Sequence, residues 1–216
     1  MSPNRVTRCL IVTAVEAERA AIERGLSEEA RAVTTLLVGG VGAAAAAAAT
    51  AATLAVTPYQ LVVSAGVGGA FPHAARIGEL LVAERIIAAD LGADGPEGFQ
   101  SVEELGFGVA VFETRALDGL KGATVGVVRG DLLTVNTTTG TAEQAARLRE
   151  RYPRSVGEAM EGYGVAVAAA RFGLPVAEVR AVSNLIGPRD RAAWRIGEAL
   201  AALTAAAAPI VEGLMP

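Results

Sequence analysis

The stretch Ser155–Trp194, SVGEAMEGYGVAVAAARFGLPVAEVRAVSNLIGPRDRAAW, decides how the rest of the chain is read. Val156 begins a short apolar run that stops at Gly157. A Met160-Glu161 step then opens a helix of small residues from Gly162 to Phe172, which Gly173 and Pro175 end. Val176 to Val182 is a β-branched run of strand length. A polar pair, Ser183 and Asn184, stands where that strand ends. In open α/β sheets, ligands sit at the carboxyl ends of strands. Glu161 and the Ser183-Asn184 pair both belong at such ends, so two polar groups are aimed at one crevice.

Downstream, Arg189 and Asp190 follow Pro188 and precede a last helix expected from Ala192 to Leu214. Asp190 reads equally as a helix cap and as a site residue, and Trp194 as core or pocket wall. At the other end of the chain, Cys9 to Val12 reads as a first buried strand. Thr13-Ala14 then turn into a helix carrying Glu16 and Glu18. Two acids two residues apart point in different directions on a helix, so only one easily faces a site. An acid in a first turn also suits the helix dipole, which is the plainer use of each.

Thr34 to Val38 is a second strand, followed by Gly39-Gly40-Val41-Gly42-Ala43-Ala44-Ala45. That is G-x-G-x-x-A between a strand and a helix, the setting of a dinucleotide fingerprint. The confirming acid is missing, because no Asp or Glu lies between Arg31 and Glu79. A tight, closely packed turn is the preferred reading. The Ala-rich run from Val41 to Val56 is expected to be a buried helix and not a membrane span.

Leu61 to Ala65 reads as a third strand, ending in Gly66-Val67-Gly68-Gly69-Ala70-Phe71. Such glycines let backbone approach a ligand and expose N–H groups, although a plain turn reads as well. His73 belongs to the rim of that loop. Leu80 to Ala88 is another strand. Asp90 to Gly108 has no helical period and reads as a long loop, functional or mobile. Phe99 and Phe107 lie in it and suit an aromatic pocket wall, with packing on the domain as the commoner use. Val109 to Phe112 and Thr124 to Val128 are further strands. Val135 to Thr141 ends one more and caps a helix from Ala142 to Arg151.

The bulk properties exclude several classes. A net charge of −4 and a pI near 5.2 argue against a nucleic-acid surface. One cysteine, Cys9, leaves no disulfide framework or multi-cysteine metal site. One histidine, His73, argues against a histidine-rich metal centre and a Ser-His-Asp triad. Arg5 and Arg8 precede only a strand-length apolar run, so no signal peptide is read and a cytoplasmic protein is expected. Strands alternating with helices, without repeat or linker, predict a single three-layer α/β/α domain over residues 1–216.

The order G-x-G-x-x-A, A-G-V-G-G, A-M-E-G and R-A-V-S-N resembles the purine nucleoside phosphorylase and nucleosidase superfamily, from Ile11 to Leu214. The S-N-x-x-G-x-R-D-x-x-x-W ending and the A-D-L-G-A-D-G loop are similar to its futalosine hydrolases, of the menaquinone pathway. The resemblance implies a nucleoside phosphorylase-like fold with a mixed central sheet. It implies that Glu18 activates the attacking water, that Met160 lies under the sugar, and that Glu161 binds the sugar hydroxyls. Asn184, after Ser183, faces the purine, and Thr138 and Thr139 belong to backbone flanking the base. Gly66, Val67, Phe107, Arg189 and Asp190 complete the candidate substrate contacts. Arg76, Arg129 and Arg189 are the candidates for the carboxylate of the substrate's aromatic tail.

Two departures from the family pattern carry information. Phosphorylases of the family hold phosphate with an arginine and a serine around the glycine loop. Here those positions read Ser64 and Val67, neither of which supplies a cation, and this favours water as the nucleophile. Adenine-specific nucleosidases carry Asp where this chain has Asn184. The leaving purine is protonated at N7 and becomes a donor there. Hypoxanthine also presents the O6 acceptor, so an amide, with one acceptor and one donor, suits it. A mispaired buried polar group costs about 1–3 kcal/mol. The expectation is an N-ribosyl hydrolase releasing hypoxanthine from futalosine. The alternatives are a phosphorylase, an adenine-directed nucleosidase or a non-catalytic purine-binding protein. The expected partner is a small nucleoside, with no nucleic acid, membrane, metal or organic cofactor, in a homo-oligomer.

Overall fold

The computed structural model describes residues 8–212. In chain order it forms β1 (Cys9–Thr13), α1 (Glu16–Gly25), α2 (Glu28–Val33), β2 (Thr34–Val38), α3 (Ala43–Val56) and β3 (Leu61–Ala70). Then come β4 (Leu80–Ala88), β5 (Gly92–Gly95), β6 (Gly98–Ser101), β7 (Val111–Glu113), β8 (Val127–Thr134) and α4 (Ala142–Arg151). β9 (Ser155–Ala159), α5 (Gly162–Arg171), β10 (Val176–Leu185) and α6 (Ile196–Glu212) complete it.

Apolar, β-branched runs become the strands, and all five residues of β1 are buried. The main sheet is mixed. β1 runs parallel to both β2 and β3, while β10 runs parallel to β3 and antiparallel to β4. β8 joins β4 to β9, and β9 returns antiparallel to β3. Five strands, β3-β10-β4-β8-β9, therefore close into a ring, from which β1, β2 and β7 extend. α1, α2 and α6 cover one apolar face, through Ala21, Ile22, Ala30 and Leu203. α3 and α5 cover the other, through Ala46, Leu54, Val165 and Ala169. The result is a three-layer α/β/α architecture.

Several elements differ from the sequence reading, each for a local reason. β3 continues through the glycines to Ala70, because β9 and β10 pair with that segment on both sides. β9 does not stop at Gly157, which is itself paired with Ala70 and Leu132. The two strands expected around Thr124 and before Val135 are one, β8. The excursion after Asp90 contains the β5–β6 hairpin. α3 buries only Ala46, Thr50 and Leu54, so it lies on the surface and is not a buried helix. The last helix starts at Ile196 and not at Ala192. Asp190 instead caps a short 3-10 turn, accepting from Ala192 N–H at 2.9 Å. Arg5 and the expected helix end at Leu214 lie outside the described residues. No helix among those residues is long and apolar enough to cross a membrane.

Candidate active site

A cavity of about 330 Å³ opens where β3, β9 and β10 end, beside the start of α1. Glu18 stands in its wall. It occupies the third position of α1 and folds back, so that Oε2 accepts from Ala14 N–H at 2.9 Å and Val15 N–H at 3.1 Å. Oε1 accepts from Val67 N–H at 2.9 Å, on the far side of the sheet junction. The residue is only 3% exposed. Glu16 turns outward and pairs with Arg19, so of the two acids Glu18 is the one that lines the cavity.

Behind Glu18 lies a buried ion cluster. Arg180 of β10 is 1% exposed. Its Nε donates to Glu178 Oε1 at 2.8 Å, Nη1 to Glu161 Oε2 at 3.0 Å, and Nη2 to Ser64 Oγ at 2.7 Å. Burial alone would lower the guanidinium's pKa. The carboxylates of Glu178, Glu161 and Glu18 outweigh that and hold it above its ordinary value. Burial pushes the Glu178 carboxyl up, with Arg180 opposing. Glu161 is at the N-cap of α5, where the helix dipole favours an acid. Its other oxygen accepts from Gly42 N–H at 3.2 Å, so the glycine turn after β2 serves the site. Gly42 has φ +92° and Gly40 φ +87°, a left-handed path that glycine takes without strain.

The opposite wall is polar and more open. The single Ser183 Oγ hydrogen is shared between Asn184 Oδ1 at 2.9 Å and Gly68 O at 3.2 Å. Asn184 Nδ2 donates to Leu185 O at 3.3 Å, which fixes the orientation of the amide. One Oδ1 lone pair and one Nδ2 hydrogen remain for a ligand. Across the cavity, Glu158 of β9 accepts from Thr139 N–H at 2.8 Å and from Thr139 Oγ1 at 2.6 Å. Burial raises the Glu158 carboxyl above its usual range, against those two bonds.

Val67, Thr138, Thr139, Met160, Glu161, Ser183, Asn184, Arg189 and Asp190 thus come together with Glu18 around one cavity. Gly66 does not line it. A Cβ there would lie 2.6 Å from Glu18 Oε1 and 2.8 Å from Arg180 Nη1, so the missing side chain lets those two groups converge. Phe107 is also outside, with 84% of its surface exposed on the turn after the β5–β6 hairpin. Arg76 and Arg129 do not reach the cavity, and Arg129 donates to Leu117 O. Ser64 is sealed beneath the cluster and is not open to a ligand.

The residues that sequence reasoning passed over are Arg180, Glu178 and Glu158. A signal for the first two was present in Val176-Ala177-Glu178-Val179-Arg180-Ala181. Opposite charges two apart in an otherwise apolar strand share a face and must pair if buried. Nothing in the local sequence marks Glu158.

The family model of the phosphorylase superfamily matches residues 14–215. The futalosine hydrolase of Streptomyces coelicolor is 50% identical over 229 residues, covering 96% of this chain and 97% of that protein. That of Acidothermus cellulolyticus is 47% identical, over 88% of this chain and 85% of that protein. Among solved structures, a methylthioadenosine/S-adenosylhomocysteine nucleosidase from Colwellia psychrerythraea, in complex with adenine, superposes with a TM-score of 0.81 at 19% identity. It covers 97% of this chain and 96% of that one. The native futalosine hydrolase of Helicobacter pylori gives a TM-score of 0.78 at 16% identity, over 96% and 97% of the two chains. At such identities these two establish the fold alone. Sequence identity of this order with curated relatives over nearly the full length goes further: the chain belongs to the phosphorylase superfamily and, within it, to the futalosine hydrolase family.

Proposed function

We propose that the chain is a nucleosidase that hydrolyses futalosine to hypoxanthine and dehypoxanthine futalosine, a step of menaquinone biosynthesis. The observation that carries this reading is the state of Arg180. Phosphate bound at this cluster would need an unopposed cation, and each nitrogen of the Arg180 guanidinium already bonds a protein group, two of the three being carboxylates. Glu18, Glu161 and Glu178 gather around that single positive charge. Such a field favours a cationic sugar and disfavours a phosphate dianion.

The chemistry follows from the groups in place. As the bond from C1′ to N9 lengthens, its electron pair leaves with the base and the sugar becomes oxocarbenium-like. Glu18, oriented by three N–H groups, accepts a proton from a water whose oxygen bonds to C1′. Glu161 accepts from the ribose hydroxyls through the lone pairs that Gly42 and Arg180 leave free. Asn184 accepts from N7–H and donates to O6 of the departing base. An amide does not transfer a proton, so the N7 proton arrives through water.

The cavity mouth supports an aromatic, anionic tail on the substrate. Val15, Val41, Leu185 and Ile196 are exposed there beside Trp194. Arg189 stands among them and is exposed. We assign it to the tail carboxylate, which Asp190, tied to Ala192 N–H, leaves uncontested. A single cytoplasmic domain acting as a homo-oligomer completes the reading.

The test is turnover of futalosine, inosine and methylthioadenosine with and without phosphate, followed as free base. Hypoxanthine release from futalosine is expected at one rate in both buffers, with oxygen from labelled water found on the sugar. Strict dependence on phosphate would make the protein a phosphorylase. Tight binding without base release would make it a purine-binding protein.

A further inference from the structure

Glu158 is the one buried acid at the cavity that the mechanism above leaves without work. It is 5% exposed, lines the cavity, and has no basic side chain bonded to it among the described residues. A carboxylate in that position is costly unless donors surround it. Thr139 provides two, one to each oxygen. Both oxygens keep a further lone pair.

Its place in the sheet is specific. Glu158 of β9 is the register partner of Gly69 on β3, and Gly69 is in turn the partner of Asn184 on β10. Partners in register point to one face of a sheet. The outer two are two strand spacings apart, about 9.5 Å between Cα atoms. The glycine between them is bare: a Cβ there would lie 3.2 Å from Asn184 Nδ2. Asn184 and Glu158 thus frame a slot with a backbone floor. A purine seated edge-on with N7 and O6 toward Asn184 carries N1 toward Glu158.

We propose that Glu158 is a base-reading residue, which accepts a hydrogen bond from N1–H of a 6-oxopurine. This rests on the nucleosidase reading of the site and adds a second selector to Asn184. A 6-oxopurine has a donor at N1, whereas a 6-aminopurine has an acceptor there. An acceptor-only carboxylate pairs with the first and opposes the second. A site built on such pairing rejects the mispaired base more firmly than one built on shape.

The alternative is that Glu158 only anchors the Thr139 loop. Glu158→Gln separates the two roles, because the amide keeps the shape and still bonds Thr139, yet offers a donor as well as an acceptor. The readout is the ratio of kcat/KM for futalosine to that for its 6-amino counterpart. We expect this ratio to fall about tenfold to a hundredfold in the variant, with the melting temperature little changed. Equal losses on both substrates, leaving the ratio unmoved, would assign Glu158 to the loop and overturn the proposal. Calorimetric binding of free hypoxanthine, 1-methylhypoxanthine and adenine to the unmodified protein gives a test independent of turnover. Hypoxanthine should bind about tenfold or more tighter than the other two. Equal binding of 1-methylhypoxanthine, which lacks the donor and adds bulk, would sink the idea. Because this assay needs no cleavage, it stands even if the protein proves not to hydrolyse futalosine.

Discussion

Glu18 owes its position to three backbone N–H groups and not to a cation. Those donors stay in place when the carboxylate becomes an amide, so Glu18→Gln should fold and bind substrate while losing about 10²–10⁴ in kcat. Glu16→Gln should cost almost nothing, since Glu16 is 67% exposed and bonded only to Arg19. Steady-state hydrolysis of futalosine by the two variants checks both. A second residue-scale expectation concerns Arg189. Arg189→Met keeps the apolar stem and removes the charge, so KM for futalosine should rise about tenfold, as befits a lost charge-assisted bond. Cleavage of inosine, which has no anionic tail, should be unaffected, and a loss shared by both substrates would move the tail contact elsewhere. At this scale the sequence was readable for the placement of Glu161 and Asn184, which both line the cavity. It was not readable for Glu158, whose bonding partner Thr139 comes from the segment after β8 and whose slot-mate Asn184 is brought alongside only through pairing with Gly69.

The glycine-rich end of β3 is the element on which the site turns. The sequence suggested a loop there, since three glycines in four residues normally interrupt a strand. The structure keeps the strand because β9 and β10 pair with it on both sides, and uses the glycines to clear space above it. At Gly66 the clearance is for Glu18 Oε1 and Arg180 Nη1, both far ends of flexible side chains. Gly66→Ala should therefore fold, with those two groups pushed aside. We expect its melting temperature to stay within a few degrees of the parent while kcat falls about tenfold or more, because small misplacements at reacting groups are costly. Full activity in this variant would show that Glu18 and Arg180 need not converge. Other elements were legible to the residue. β2, β4 and α4 lie where alternation, β-branched runs and the Thr141 cap placed them. α3 was misjudged because an alanine-rich helix is weakly apolar on every side, so its sequence does little to mark which stripe is buried.

Across the whole molecule, the Arg180 cluster ties together elements from both halves of the chain. It joins Ser64 on β3, Glu161 at the head of α5, and Glu178 and Arg180 on β10. Removing the cation leaves buried carboxylates uncompensated, and breaking a buried pair in this way typically costs about 3–5 kcal/mol. Arg180→Met should lower the denaturant midpoint accordingly and abolish turnover. A stable but inactive Arg180→Met variant would mean that the acids take up protons in its absence. The layer order and most strands were foreseeable from alternating periodicity. The closing of five strands into a ring was not, because it depends on β10 pairing with two strands at once, and pairing partners are not written in a strand's own residues.

That ring also sets an order of assembly. β1, β2 and β3 are neighbours in sequence and can pair as soon as they are made. β10 fits between β3 and β4, both synthesised long before it. Until it arrives, β3 and β4 each present an open edge of unpaired N–H and C=O groups, the kind of surface that recruits other chains. Long-range closure of this sort is slow and exposes the intermediate to aggregation. Chains arrested on the ribosome before Val176 should bind chaperones and aggregate when released, whereas chains completed through α6 should not. Since Asn184 and Arg180 both ride on β10, the protein acquires its chemistry only in the step that closes the ring.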